Sequence, residues 1–300
     1  MRLPRALPPG GTVGIVNPSS PVEPELLDSG IAALASRGFH VAVAPHVRDG
    51  HHAGSPAARA ADFFSAYADP SLDVLWCARG GSSACRLWPL LDWDALAALP
   101  PKMVIGYSDT TSLLIPLNQR VSTVALHGPL VFELGGLAPD VLDWQLRLLQ
   151  EPAPAGLVPG AAPDTLVPGI TEGALCGGCL SLVVATLGTP SQINATGKLL
   201  LIEDIGEAPH RIERMLVQLA EAGILRSAAG FVIGQATDAD DSETLPLHQI
   251  WADLLAPCGK PAVLGFSFGH VTPNYALPLG VRAHLDADAG TLTLLEAAVK

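Results

Sequence analysis

The chain predicts an α/β fold, in which an N-terminal, doubly wound, mostly parallel sheet is followed by a second, smaller mixed α/β domain. Three observations carry that expectation. From residue 11 onward, short apolar runs alternate with segments of helical period, the order that builds parallel strands with covering helices. The runs are apolar almost throughout, as strands buried on both faces require. Around residues 151–172 prolines and glycines replace any period, which marks a linker or boundary.

In order, TVGIV (12–16) reads as the first strand. PELLDSGIAALASRG (24–38) puts Leu27, Ile31 and Leu34 on one helical face and closes on Gly38. HVAVAP (40–45) is the second strand. In SPAARAADFFSAYAD (55–69), Ser55 caps a helix and Pro56 takes its first position. LDVLWCA (72–78) and KMVIG (102–106) are strands, and the helix TTSLLIPLNQR (110–120) and the strand STVALHG (122–128) follow. These elements assign residues 1–155 to the N-terminal domain, 156–172 to a linker and 173–300 to the second domain. In the second domain, GGCLSLVVATLG (177–188) reads as a helix and KLLLIED (198–204) as a buried strand. PHRIERMLVQLAEAG (209–223) is an amphipathic helix with Ile212, Met215, Leu216 and Leu219 on one face. GFVIGQ (230–235) and AVLGFSFGH (262–270) read as strands, and VRAHLDADAGTLTLLE (281–296) as a closing hairpin turning at Asp288-Ala289-Gly290.

Composition narrows the function. With 49% hydrophobic and 15% charged residues, a large core is available and disorder is not expected. A net charge of −12 argues against nucleic acid or an anionic membrane as partner, since both need a basic surface. An anionic small substrate would need a locally basic pocket. Prolines and glycines interrupt the N-terminal MRLPRALPPGGTVGIV, and polar residues break the longest uncharged region, so a soluble, cytoplasmic protein is expected. Five cysteines fit reduced thiols. Cys176 and Cys179 have C-x-x-C spacing, but Cys77, Cys85 and Cys258 supply no second pair, so both are expected as small packed residues at a helix start. No H-E-x-x-H, P-loop or G-x-G-x-x-G occurs, so neither a metal nor a nucleotide cofactor is expected.

Polar clusters stand at the ends of apolar strands, where open α/β sheets place ligands. They are Arg79-Gly80-Gly81-Ser82, Gly106-Tyr107-Ser108-Asp109, Glu203-Asp204 and Gly269-His270. Two readings of Ser108 stay open. Ser108, Asp109 and Thr110 are all good helix caps. Alternatively, Ser108 is a nucleophile on a tight strand-to-helix turn, with the Asp109 N–H at a helix N-terminus facing an oxyanion. The elbow pattern G-x-S-x-G is not met, because position 110 is Thr. Among the nine histidines, His40, His51, His52 and His284 read as surface or filler. His127 and His270 each end a strand, and either is structural or a base. Glu203 and Asp204 are the acid candidates. Gly80 and Gly81 can turn backbone N–H groups toward an anion.

Taken together, GTVGIVNPSSP, ARGGSSACRLWPLLDW, GYSDTTSLL, HGP, LIEDIGEAPHRIERML and GHVTPNYALPLGVRAHLDADAGTLTLLE resemble the LD-carboxypeptidase family of serine peptidases. That family includes muramoyltetrapeptide carboxypeptidases and microcin C7 self-immunity peptidases, and the resemblance spans nearly the whole chain with its motifs in order. It implies an N-terminal sheet like that of flavodoxin or class I glutamine amidotransferases, and a triad of Ser108, His270 and Glu203. It also implies an oxyanion hole of the Gly81 and Asp109 N–H groups, a murein-derived peptide substrate, no cofactor, and a homodimer. The activity implied is release of terminal D-alanine from a tetrapeptide in cell-wall recycling. The alternatives are an immunity peptidase acting on a peptidyl nucleotide and a non-catalytic binding module. One departure bears on substrate contacts: the family usually reads R-G-G-Y-G, and this chain has Arg79-Gly80-Gly81-Ser82-Ser83. A carboxypeptidase must hold a free carboxylate. Arg79 is the candidate, with Arg211 second; for both, a salt bridge to Asp109 or Glu207 is the alternative.

Overall fold

A computed structural model describes residues 1–49, 54–160, 162–239 and 246–300; His51 and His52 lie outside the described residues. The strands of the first half are β1 (Thr12–Val16), β2 (His40–Val43), β3 (Val74–Cys77), β4 (Met103–Gly106) and β5 (Ala125–His127). Those that follow are β6 (Gly156–Leu157), β7 (Asp164–Val167), β8 (Ile170–Cys179), β9 (Leu199–Ile205), β10 (Gly230–Thr237) and β11 (Ala262–Leu264). The last are β12 (Leu277–Leu279), β13 (Arg282–Asp286) and β14 (Thr291–Leu294). The helices are α1 (Pro24–Ser36), α2 (Pro56–Ala68), α3 (Trp93–Ala98), α4 (Thr111–Gln119), α5 (Pro139–Gln150), α6 (Leu180–Ala185), α7 (Pro209–Glu221), α8 (Ile224–Ser227) and α9 (Leu247–Leu255).

The first sheet has the order β12-β5-β4-β3-β1-β2. Its strands β1 to β5 pair in parallel in the 2-1-3-4-5 order of doubly wound folds. β12 closes it antiparallel to β5. The second sheet runs β6-β14-β13-β8-β9-β10-β11-β7. Its middle, β8 to β11, is parallel and its flanks are antiparallel. The expected α/β class, with a mostly parallel first sheet and a mixed second one, is the observed architecture.

β9 shows how the core is divided. Leu199 and Leu201 pack into the hydrophobic cluster of the first sheet, whereas Leu200 and Ile202 pack into a second cluster under α6, α7 and α9. This is the period of two that a strand imposes on its side chains. The same alternation separates the two carboxylates that follow.

Three segments depart from the sequence pattern. The proline-rich stretch 156–172 carries β6, β7 and the start of β8, paired with β14, β11 and β13. Its short strands take their order from distant partners, so no local period betrays them. Gly177 and Gly178 continue β8 beside β9 and do not begin a helix. Their φ angles of +116° and +137° are open to glycine but not to residues with a Cβ, and α6 is correspondingly short. Likewise, 262–270 is strand only through Leu264, because Gly265 and Gly269 take φ of +88° and +84°. The closing hairpin forms as expected, with β13 and β14 antiparallel and Gly290 at φ +65° in the turn. All five cysteines are free thiols, with Cys176 and Cys179 buried. Among the described residues no helix is long and apolar enough to cross a membrane.

Candidate active site

β4 ends at Gly106, and within a few residues the chain must turn into α4. Thr110 Oγ1 fastens that turn by donating to the Tyr107 carbonyl at 2.7 Å. A Cβ on Gly106 would fall 2.5 Å from Thr110 Oγ1, so only glycine lets the turn close this tightly. Ser108 sits at its apex with φ +62°, a left-handed conformation that costs a residue with a Cβ about 1–2 kcal/mol. An elbow of this kind lifts a hydroxyl clear of the strand end.

Glu203 and His270 arrive from the second sheet. Glu203 follows Leu199 and Leu201 on the face toward the first sheet, and is wholly buried. Asp204 points the other way. It accepts from the Ser181 N–H at 2.8 Å at the start of α6 and touches the Cys179 thiol at 3.5 Å. Adjacent carboxylates therefore do different jobs because β9 alternates. The loop after β11 brings His270 against Glu203: Glu203 Oε2 accepts from the His270 backbone N–H at 3.1 Å and lies 2.7 Å from Nδ1. The other ring nitrogen, Nε2, is 2.9 Å from Ser108 Oγ. A carboxylate on Nδ1 fixes the tautomer in which Nε2 accepts the serine proton.

Burial alone would lower the His270 pKa, but the Glu203 hydrogen bond and charge, with Asp204 and Glu133 beyond, outweigh it and hold the ring above its ordinary value. Burial pushes Glu203 up, while the ring and backbone of His270 oppose that rise. Tyr107 stands edge-on to His270 with ring centroids 4.9 Å apart, and its hydroxyl donates to Glu133 at 2.8 Å. His127, the other strand-end histidine, lies 3.8 Å from Glu203 Oε1, and neither of its ring nitrogens has a hydrogen-bond partner. Burial, together with neighbouring His270, drives its pKa down to about 3, so it remains a neutral core residue. Of the two, His270 is the one that reaches Ser108.

Gly269 makes the carboxylate–imidazole contact sterically possible. Its φ is +84°, and an added Cβ would lie 2.3 Å from Glu203 Cδ and Oε2. Gly269→Ala is expected to destabilise the protein by about 1–3 kcal/mol. The check is a urea unfolding midpoint, and an unchanged midpoint would mean that the loop yields without strain.

The glycine turn after β3 lies alongside the nucleophile. A Cβ on Gly80 would come 2.9 Å from Ser108 Cβ, and Gly81 follows at φ +117°. Asp109 anchors this arrangement from below: its buried carboxylate accepts from Ser19 Oγ at 2.5 Å and from the Ala84 N–H at 2.8 Å. The Arg79 guanidinium donates to the Pro21 carbonyl at 2.7 Å, which engages it in holding the 18–22 loop. Arg211 lies 3.6 Å from Glu207. Ser108, His270 and Glu203 are thus brought together, with Asp109 next to Ser108 in the chain and Gly81 following the Gly80 that packs against it, while Arg79 is turned to a backbone oxygen. Gly80 and Tyr107, both in the strand-end clusters, join the group, and Glu133 joins it through the Tyr107 hydroxyl with no sequence reading having singled it out. Among the described residues, no group of three or more His, Cys, Asp or Glu is placed to hold a metal.

Residues 13–128 match the family model described as the LD-carboxypeptidase N-terminal domain, and residues 172–285 match the LD-carboxypeptidase C-terminal domain. A Streptomyces coelicolor protein named as a carboxypeptidase is 40% identical over 97% of this chain and 95% of its own length. The crystal structure of a muramoyltetrapeptide carboxypeptidase from Oxalobacter formigenes superposes with a TM-score of 0.84 at 30% identity, covering 94% of this chain and 97% of the other. The microcin C7 self-immunity protein MccF, in complex with aspartyl sulfamoyl adenosine, shares the fold with a TM-score of 0.90 at 23% identity over 100% of both chains.

Proposed function

The chain belongs to the LD-carboxypeptidase family, and from that premise we propose that it is a serine carboxypeptidase hydrolysing an L–D peptide bond in murein peptides. Its substrate on this reading is a murein tetrapeptide, its product is terminal D-alanine, and its setting is cytoplasmic cell-wall recycling. The observation that carries the reading is the unbroken line from Ser108 Oγ through the His270 ring to Glu203, with contacts of 2.9 and 2.7 Å.

Ser108 Oγ attacks the scissile carbonyl while His270 Nε2 takes its proton. Glu203 keeps the imidazole oriented and stabilises the imidazolium that forms. The Gly81 and Asp109 N–H groups face the oxyanion. Collapse of the tetrahedral intermediate expels the amine of D-alanine, which receives the proton from His270. A water molecule, deprotonated by the same ring, then cleaves the acyl ester and regenerates the serine.

The direct test is incubation with murein tetrapeptide and measurement of released D-alanine, paired with labelling by a serine-directed phosphonate. Release together with labelling at Ser108 alone is expected. Turnover without labelling would exclude the serine mechanism, and absence of both would favour a binding module. Cleavage of an aminoacyl sulfamoyl nucleotide in place of the tetrapeptide would favour the immunity-peptidase reading.

The pH dependence follows from the state of His270. The base must be neutral to accept a proton, and Glu203 raises the pH at which the ring loses its own. Accordingly, kcat/KM should climb with pH through a midpoint above the ordinary histidine value of about 6.5 and then level off. An acid limb centred below that value would contradict the pairing with an ionised Glu203.

A further inference from the structure

In a chain of net charge −12, a cavity walled by cations and hydroxyls stands out, and one adjoins the glycine turn after β3 at Ser82 and Ser83. It encloses about 550 Å³ and is bounded by Arg59, Arg86, Ser20, Ser55, Ser82 and Ser83, among others. No Asp or Glu is among the described residues that line it. Ser82 and Ser83 are the two positions at which the chain departs from the R-G-G-Y-G pattern.

Arg59 is only 5% exposed. Its Nη1 donates to the Pro18 and Ser19 carbonyls at 2.8 and 3.0 Å, but its Nε has no hydrogen-bond partner among the described residues. A buried donor left unpaired is costly, and in a cavity wall it invites an acceptor. Arg86 is exposed on the same wall. Burial, and after it the charge of Arg86, lowers the Arg59 pKa, while Asp109 opposes them. The Asp109 carboxylate is itself occupied by Ser19 and Ala84. The cavity therefore concentrates positive charge that no described lining residue neutralises. The N-terminus of α2 adds to it: Ser55 caps this 13-residue helix at the cavity edge, accepting from the Ala58 N–H, and the positive end of the helix dipole lies there.

The cavity is tied to the chemistry through its lip. The Ser82 N–H donates to Ser20 Oγ at 3.0 Å and the Ser20 N–H to the Gly80 carbonyl at 3.2 Å, while Gly80 packs against Ser108. Arg79 donates to the Pro21 carbonyl and Arg211 pairs with Glu207, whereas among the described residues no hydrogen bond or ion pair engages the exposed Arg86 guanidinium. Resting on the carboxypeptidase reading above, we propose that this cavity is the subsite for a carboxylate of the substrate peptide, with Arg86 as the pairing cation and Arg59 Nε as the buried donor behind it.

The carboxylate is either the C-terminal one or one within the peptide, and three substrates separate these sources: the free peptide, its C-terminal amide, and the peptide amidated at its internal carboxylate. Arg86→Leu should lower kcat/KM on the free peptide by about 10- to 100-fold, the range of a lost charge-assisted hydrogen bond. It should spare whichever amide already lacks the engaged group, which identifies the source. Arg86→Lys should recover part of the loss. Equal losses on all three peptides, or none on any, would overturn the proposal. Calorimetric titration of the same peptides into Ser108→Ala, with and without Arg86→Leu, gives a readout independent of turnover. Selective binding of the acid through Arg86, together with no D-alanine release by the unaltered protein, would refute the proposed function and leave the subsite standing.

Discussion

Ser108→Ala should reduce kcat by about 10⁴- to 10⁶-fold, the cost seen when the nucleophile of a serine–histidine–carboxylate unit is removed. The unfolding midpoint should stay close to wild type. The hydroxyl projects from a turn and fills no part of the core, so its loss is expected to change stability by about 1 kcal/mol or less. The strained φ of +62° remains, because alanine carries the same Cβ. Activity and unfolding measured on one preparation decide the matter: wild-type-like turnover in the folded variant would eliminate the proposed mechanism.

The second large effect falls on the acid. Glu203→Gln should cost about 10⁴-fold in kcat, since an amide favours the wrong tautomer of the ring it orients, whereas Asp204→Asn should cost far less. The strand geometry sets this contrast. Glu203 Oε2 lies 2.7 Å from His270 Nδ1, while Asp204 accepts from the Ser181 N–H. Because Ser108, His270 and Glu203 form one line of contacts, double variants should be barely worse than the single ones. Additive losses measured by steady-state kinetics would show that the residues act separately. A larger loss from Asp204→Asn than from Glu203→Gln would reverse the assignment of the acid.

What the sequence disclosed depended on the range of the forces involved. Ser55 caps α2 and Pro56 opens it, as their local chemistry dictates. The apolar runs at β3 and β4 are buried throughout and that at β1 from Val13 onward, as parallel strands covered on both faces are. The four polar clusters are visible because each follows such a run, but local pattern alone does not bring them together, since Ser108 and His270 come from different sheets; only the family resemblance implies their meeting. Long-range pairing also hid β6, β7 and β12: a two-residue strand, a strand among prolines, and Leu-Pro-Leu carry no period of their own. The Gly177-Gly178 pair read as helix because its positive φ angles are set by close approach to β9 and Thr111. The place of Arg79 in the chain suggests a carboxylate ligand, whereas its guanidinium donates to the Pro21 carbonyl. Which arginine stays open is decided by loop packing, and no spacing rule records that.

β12 has a consequence for how the molecule can be divided. It comes from the last part of the chain yet pairs with β5 through Leu277 and Leu279, both buried. Trp144 Nε1 of α5 holds the carbonyl of Ala276 just ahead of it at 2.9 Å. A fragment ending near residue 155 would keep every parallel strand of the first sheet and still present β5 as a bare, apolar edge. Such an edge recruits other chains, so the severed N-terminal half should precipitate or self-associate when produced alone. Co-production with the remaining segment should rescue it, because that segment brings the missing strand. The two sheets are therefore not modules that recombination could exchange at the proline-rich stretch: the cut that looks cleanest in the sequence would remove a strand from the sheet that carries the nucleophile.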